Sequence, residues 1–337
     1  MDAFHLIRYI IAGSLERDFI ITSQGNTHFD IPGGSLLYAA GGLALWDSGV
    51  GLVGSVGEDY PQEWFERFNQ TGLDARGVSI LPKTIDLRSF IFYLENKRYQ
   101  SLNPIAQFAQ MGIAIPRALL GYIPTHQRQK TANLNTGPLI TLSQIPTDYL
   151  DATAAHLCPM ESKVQATLIS HLQGRVNNLS LDTHESYMKA SGWDVLPRLL
   201  SNIKILHTSE EDLQNLFKGR TTVMWEMIEA LAVYGLEIIA VKRGRNGQYL
   251  YDCLAKRRWS VPAYPVTVVD TTGCGDAFCG GFLAGYQNSY DPLDAVLHGN
   301  ISASFCLEGI GPFYLTSVLP GLASARLYRL KEMVKRV

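Results

Sequence analysis

Several familiar signatures are missing from this 337-residue sequence. It has no Gly-x4-Gly-Lys-Ser/Thr run, which excludes a P-loop nucleotide site. No Gly-x-Gly-x-x-Gly follows the first strand-like segment, and there is no Gly-x-Ser-x-Gly elbow and no His-Glu-x-x-His. The commonest dehydrogenase, hydrolase and zinc-protease readings fall with them. Cysteine is sparse: Cys158, Cys253, Cys274, Cys279 and Cys306 show no Cys-x-x-Cys pairing and no zinc spacing. An odd, scattered set of that kind suits a reducing cytoplasm. Charge is also modest, at 18% of residues with a formal net of −2, which gives no electrostatic case for nucleic acid or an anionic membrane. No apolar run reaches the length of a membrane span. The start, Met-Asp-Ala-Phe-His, has no basic n-region or cleavage site, so no leader is expected. Internal repeats and low-complexity linkers are absent.

What is present is a globular composition, 46% hydrophobic, in a chain long enough to bury a large core. Residues 6–12 are mostly apolar and end at Gly13-Ser14, a buried parallel-type strand followed by a turn. Asp18 comes next, near the edge where open α/β sheets bind ligands; a plain turn-forming Asp is the alternative. Residues 19–22 and 27–31 read as a hairpin around Gln24-Gly25-Asn26, and 88–94 and 98–102 as another around Glu95-Asn96-Lys97. Pro32-Gly33-Gly34 opens a helix with Leu36, Leu37, Ala40, Leu43 and Ala44 on one face. Residues 50–56 read as a strand, and Trp64, Phe65 and Phe68 mark a helix. From Ala154 onward, strands at 156–158, 179–182, 203–207 and 238–241 alternate with helices at 164–172, 195–200 and 224–232. Such alternation implies a parallel sheet with right-handed crossovers. A final helix over 322–337 would turn Leu327, Leu330, Met333 and Val334 inward and Arg326, Arg329, Lys331, Lys335 and Arg336 outward. Residues 104–145 show little periodicity and stand as an unclear insertion.

The densest signal is Asp270-Thr271-Thr272-Gly273-Cys274-Gly275-Asp276-Ala277-Phe278. Residues 266–269 before it are apolar and β-branched, so they read as a short buried strand. Phe278, Phe282, Leu283 and Tyr286 after it share a helical face. Glycines at a strand-to-helix turn let backbone approach a ligand closely. Free amides at the new helix N-terminus, with the helix dipole, make an anion site. A carboxylate in that first turn, Asp276, is suited to accepting a proton from a hydroxyl that attacks phosphorus. Its plain alternative is a helix cap.

This run closely resembles the second signature of the ribokinase-like (PfkB) carbohydrate kinases, Asp-Thr-x-Gly-Ala-Gly-Asp-x-Phe, with Cys274 in place of Ala. The resemblance implies a three-layer Rossmann-like parallel sheet, one kinase domain over 1–337, and a small β-sheet lid from about 18–31 and 86–103. It makes Asp276 the catalytic base and the Gly273, Cys274, Gly275 and Asp276 amides the anion hole. Gly33 and Gly34 match the first signature, Asp18 the substrate Asp, and Tyr38 stands where Asn is frequent. Ser209 and Asp212 stand where the family has Asn-x-x-Glu, which helps order magnesium; a capping pattern is the alternative there. Lys242, Gly244 and Gly247 match the strand-then-Gly-x-x-Gly nucleotide loop, with Lys242 where Thr is common. Asn300 lies in a helix that in the family lines the adenine site. The Asp270 carbonyl, with residues 309–311, is the place for a monovalent cation such as potassium.

The resemblance therefore implies ATP- and magnesium-dependent phosphotransfer to a hydroxyl of a small sugar or polyol by a cytoplasmic enzyme. It implies neither nucleic-acid nor membrane partners, and a homodimer through the lid is one arrangement. Tyr38, together with residues 195–198 and 299–313, which look like those of plant-type myo-inositol kinases, points to an inositol-like acceptor. The alternatives are a nucleoside acceptor, or a non-catalytic sugar- or nucleotide-binding protein on the same fold.

Overall fold

In the computed structural model, residues 6–94, 97–100, 103–124, 140 and 142–336 are described. The first strand, β1 (Tyr9–Ala12), leads into a hairpin of β2 (Glu16–Ile21) and β3 (Thr27–Gly33), then α1 (Ser35–Ala44). Next come β4 (Val50–Gly57), α2 (Gln62–Gln70), β5 (Leu73–Leu81), the hairpin strands β6 (Arg88–Leu94) and β7 (Lys97–Gln100), and α3 (Pro104–Met111). The regular half runs β8 (Ala154–Leu157), α4 (Ser162–Leu172), β9 (Asn178–Asp182), α5 (Leu196–Leu200), β10 (Ile205–Ser209), α6 (Glu210–Leu216), α7 (Met224–Ala232) and β11 (Ile238–Lys242). Strands β12 (Gln248–Asp252) and β13 (Arg257–Val261) follow, then α8 (Cys274–Ser289), α9 (Pro292–Glu308), α10 (Phe313–Thr316), α11 (Pro320–Lys331) and β14 (Lys335–Arg336).

The large sheet has the order β14-β13-β12-β11-β10-β9-β8-β1-β4-β5. Pairing is parallel from β5 across to β11 and antiparallel from β11 to β14. Strand alternation sends Ile10, Ala12, Leu181, Leu206 and Ile239 to one face, beneath α4 to α7. Tyr9, Ile11, Ile205, Ile238 and Ala240 go to the other, beneath α1, α8 and α9. The result is three layers. Because β1 lies between β4 and β8, the winding reverses there and leaves a crevice at the carboxyl ends of the strands.

Helices α1 and α8 are in backbone contact. A Cβ on Gly42 would lie 2.1 Å from the Ala277 carbonyl oxygen, and one on Gly280 would lie 1.8 Å from that of Ala39. No side chain fits between them, so α1 is buried all round rather than along the single face that its periodicity suggests.

The four remaining strands form a separate sheet, β3-β2-β6-β7, antiparallel within each hairpin and parallel between β2 and β6. A bulge between Asp18 and Phe19 leaves Asp30 at φ 57, and Arg17 holds its carboxylate through Nε and Nη2 at 2.8 Å each. Phe19, Ile21, Phe90 and Phe92 pack with Phe108 of α3 and with Leu119. Part of the segment expected to be an unclear insertion therefore covers one face of the small sheet.

Three sequence expectations change. Residues 266–269 are not a strand: their one backbone tie outside the loop runs from Val269 N–H to the Leu307 carbonyl of α9 at 2.8 Å, Pro262 and Pro265 lack N–H donors, and Val268 is 49% exposed. Strand β5 is unforeseen, because the charges in Leu73–Leu81 hide an edge strand. The last helix stops at Lys331, and the chain returns as β14 against β13. Arg326 there points inward, lying 3.9 Å from the Phe305 ring centroid and 2.7 Å from Glu308. The expected turn at 95–96, the strand end at 101–102, residues 125–139 and 141 of the insertion, and residue 337 lie outside the described residues. Among the described residues, no helix is long and apolar enough to cross a membrane.

Candidate active site

The carboxyl ends of four parallel strands bring together Cys158 after β8, Asp182 on β9, Ser209 on β10 and Lys242 on β11. Above them sits the N-terminus of α8. Gly273 is its cap residue at φ 70, a left-handed conformation that favours glycine. The ring of Tyr38 also fills the space where a Gly273 Cβ would go, 2.0 Å from the Tyr38 Cγ. Ala277 N–H donates to the Gly273 carbonyl at 2.8 Å and starts the helical ladder. The amides of Gly275 and Asp276 fall in the first turn before that ladder, and Cys274 N–H donates to the Thr271 carbonyl at 3.4 Å. Asp276 is half-buried in that turn.

The loop before the helix is fastened by its own carboxylate. Asp270 is 1% exposed, and its Oδ1 accepts from Thr272 N at 2.9 Å and from Thr272 Oγ1 at 2.7 Å. The Tyr93 hydroxyl, reaching across from β6, donates to the same oxygen. Tyr93 Oη in turn accepts from Thr271 N at 2.8 Å. Burial first, and then the Asp270 charge, raise the Tyr93 phenol above its usual range, so it stays a donor. The Cys306 thiol of α9 donates to the Thr272 carbonyl at 3.3 Å.

Sequence reasoning gave Asp270 a role only through its carbonyl and missed Tyr93. Its signal was the alternation of β6, which sends Phe90 and Phe92 into the apolar cluster and Tyr93 to the opposite side.

Beneath the cradle, Lys242 Nζ donates to the Asp182 carboxylate and lies 3.8 Å from Cys279 Sγ. Burial works against the lysine charge, but Asp182 outweighs it and holds the ammonium protonated above its ordinary range. His156 and His207, under the same strand ends, are fully buried. Burial, with help from Lys242, pushes His156 down to about 3, and burial pushes His207 well below its usual value.

The Ser209 and Asp212 pair is real but partly engaged. Ser209 Oγ caps α6 by accepting from Asp212 N at 3.0 Å. Asp212 Oδ2 lies 3.1 Å from the Thr183 hydroxyl, which is itself 3.0 Å from Thr208 Oγ1. The capping alternative is thus realised, with one carboxylate and several hydroxyls gathered at the same strand end. Among the described residues no group of three or more His, Cys, Asp or Glu side chains is placed to hold a metal.

Gly244 and Gly247 bracket a tight turn between β11 and β12, both at positive φ. Asn300 is 2% exposed. Its Oδ1 accepts from Tyr264 N at 3.0 Å, and its Nδ2 donates to Gln248 Oε1 at 2.7 Å and to the Pro262 carbonyl at 2.8 Å. It therefore ties down residues 262–264 instead of facing an open site.

At the other end, Asp18 is on β2 rather than just after β1, and it is 1% exposed. Its carboxylate lies across Gly33, where a Cβ would stand 2.0 Å from Oδ2. Gly33 ends β3 and Gly34 caps α1, so the two glycines span a strand-to-helix junction. Tyr60, which the sequence did not single out, is fully buried with an unpartnered hydroxyl; burial, then the Asp18 charge, raises it far above its usual range. Tyr38 is only 2% exposed, so its ring is packing under Gly273 and offers no open face to an acceptor.

The model of the pfkB family of carbohydrate kinases matches residues 153–315. A cytidine kinase from Thermococcus kodakarensis is 28% identical over 314 residues, covering 92% of this chain and 100% of the relative. Among solved structures, a putative ribokinase II from E. coli in complex with ATP and Mg²⁺ superposes with a TM-score of 0.72 at 19% identity, covering 96% and 100% of the two chains. A Burkholderia thailandensis nucleoside kinase in complex with inosine gives 0.68 at 16% identity, with 96% and 97% covered. The fold is therefore the ribokinase fold.

Proposed function

We propose that this chain, whose residues 153–315 match the model of the pfkB family of carbohydrate kinases, is an enzyme of that family and phosphorylates a hydroxyl of a small sugar-like acceptor between the small sheet and the N-terminus of α8. The observation that carries the reading is Asp276 in the first turn of α8, beside the Gly273, Cys274 and Gly275 amides and above Lys242 and Asp182. Asp18, Gly33 and Gly34 orient the acceptor. Asp276 takes the proton of its hydroxyl. The freed oxygen forms a bond to the γ-phosphorus as the bond to the β-phosphate oxygen breaks, and ADP leaves with that electron pair. The amides of 273–276 and the α8 dipole hold the charge on the equatorial oxygens.

Gly244 and Gly247 shape the nucleotide loop, and Asn300 acts on the nucleotide through the 262–264 segment that it fixes. The donor set at Ser209, Asp212, Thr183 and Thr208 suits magnesium, which takes one or two carboxylates plus substrate phosphates. When bound, the metal neutralises phosphate charge. The Asp270 carbonyl is the proposed contact for potassium, supported by the buried, unpartnered Oδ2 of the same residue. The small sheet acts as a lid, held in place by Tyr93. Its face under α3 is already covered, so a dimer through the lid would use the edge strand β7. Five cysteines without a disulfide support a cytoplasmic setting.

A nucleoside acceptor is the second reading, favoured by the cytidine kinase that this chain matches over its full length. The inositol reading loses the part of its support that came from Tyr38, whose ring is buried. An intact Asp276 and cradle weigh against a non-catalytic role. The test is ADP release at fixed ATP and magnesium across nucleosides, pentoses, hexoses and inositols. Acceptor-dependent release with one class is expected; none with any acceptor overturns the reading.

A further inference from the structure

Lys242 occupies an unusual place for a lysine. It is the last residue of β11, in register with Ser209 at the carboxyl edge of the sheet. Its side chain runs under the cradle, and Nζ lies 3.5 Å from where a Cβ on Gly275 would stand. Gly275 meets nothing else at that range, so the space beside the loop belongs to the ammonium. Asp182, with its side chain 3% exposed, anchors the charge from below, while the lysine side chain keeps 20% exposure. Cys279, one turn along α8, is 3.5 Å from the same Asp182 oxygen and fixes the geometry from the side.

A buried ion pair is weak evidence for stability, since desolvation offsets most of the attraction. A pair built against an anion cradle has a different value. The ammonium is a compact point charge with three donors, one of which Asp182 takes. Asp212, on the metal side of the site, is partly engaged by Thr183. A fixed cation on the neighbouring strand would complement it.

We propose that Lys242 is a catalytic residue of the phosphotransfer, its ammonium touching the transferring phosphoryl group beside Gly275, and that Asp182 is the positioning residue that aims it. This deepens the kinase reading and rests on it. The donor is preorganised and desolvated, so it acts on the charge of the transition state more than on the resting nucleotide.

The groups facing Lys242 are Asp182 on β9, Asp276 and Cys279 on α8, His156 on β8 and His207 on β10. Of these, Asp182 is the main carboxylate keeping the ammonium charged against burial. Removing Asp182 alone should let burial lower the lysine, so activity would fall as pH rises. A purely structural pair would give no such limb.

The experiment begins with wild-type turnover, so that failure of the kinase reading shows there and failure of this inference shows only in the variants. In Lys242→Met, kcat should fall about 10²–10³-fold, the scale for losing one preorganised donor, with ADP affinity within about threefold. Because that variant strands a buried carboxylate, the double variant K242M/D182N is made beside it. It should recover the wild-type melting temperature and keep the full loss of kcat. Asp182→Asn alone should lower kcat and add a falling limb above neutral pH that the wild type lacks. A folded double variant with kcat within about threefold of wild type, or an Asp182→Asn profile parallel to wild type, overturns the proposal.

Discussion

At the proposed phosphate end of the site the surface is backbone: amides of 273–276 set on α8, locked by Asp270, Thr272, Tyr93 and Cys306. At the proposed acceptor end it is side chains on a hairpin, with Asp18 laid across Gly33 and Tyr60 nearby. Backbone cradles demand particular residues at particular positions, because a Cβ or a wrong φ destroys them. A pocket of side chains can be rebuilt by many sequences. The phosphate end therefore announces itself as a contiguous motif, and the acceptor end does not. That contrast explains why the reaction class is legible while the choice of acceptor is left to the substrate panel.

The strongest test of the contrast is Asp276→Asn. It keeps shape and removes the base, so kcat should fall by about 10²–10⁴-fold while nucleotide binding persists. An unchanged kcat in the folded variant removes Asp276 from the mechanism.

Two glycines of the cradle separate fold from function. Gly273→Val must place a side chain on Tyr38 at φ 70 and should cost on the order of 2–5 kcal/mol, read as a lower denaturation midpoint. Gly275→Val meets only Lys242 at ordinary contact and should fold, yet lose ATP turnover because the phosphate loses its approach. Equal stability of the two variants would mean that Tyr38 does not constrain Gly273.

The floor of the phosphate end should be acid-sensitive. His156 and His207 are held neutral when folded, with pKa values depressed below the ordinary 6.5. The unfolded chain then binds more protons as pH falls through 6.5, so stability is full above that value and declines below it. The loss between pH 7 and pH 5 should be on the order of 1–2 kcal/mol per histidine. His207→Phe, which keeps ring contacts with Phe278 and Phe282, should remove about half of that slope. An unchanged slope in urea titrations at the two pH values would place the acid sensitivity elsewhere.

Tyr93→Phe tests the joint between the two ends. Losing the hydroxyl shared with Asp270 and Thr271 should cost about 1–2 kcal/mol of closure, seen as a roughly tenfold rise in acceptor KM with ADP affinity kept. A rise in nucleotide KM alone would show that the latch serves only the phosphate end.

Periodicity exposed the alternating half of the chain because each strand and helix there buries a regular face. It failed where tertiary context overrides local pattern. Residues 266–269 look like a buried strand but join no sheet, and Val269 is tied to the end of a helix at Leu307 instead. Strand β5 carries Asp74 and Arg76 because it lies at the sheet edge, where they pair with each other. Arg326 looked solvated, yet it stacks on Phe305 and reaches Glu308. Within the proposed site, motif spacing singled out Asp276, Asp18 and Lys242. It could not show that Tyr38 is packing, that Asn300 is a tether, or that Tyr93 crosses from the other sheet, since those facts depend on which segments meet.

The backbone contact between α1 and α8 has a mechanical consequence. Gly42 against Ala277 and Gly280 against Ala39 leave no layer of side chains to slide or compress. The helix that carries Gly34 and the helix that carries Asp276 therefore behave as one strut. The span between the proposed seats of the acceptor and the phosphoryl is set when the chain folds, like a gauge cut into a jig. Any closing motion would then fall to the small sheet. Adding even a methyl group to the strut, as in Gly280→Ala, would reset the gauge itself, lengthening the in-line distance without touching any group that meets a ligand.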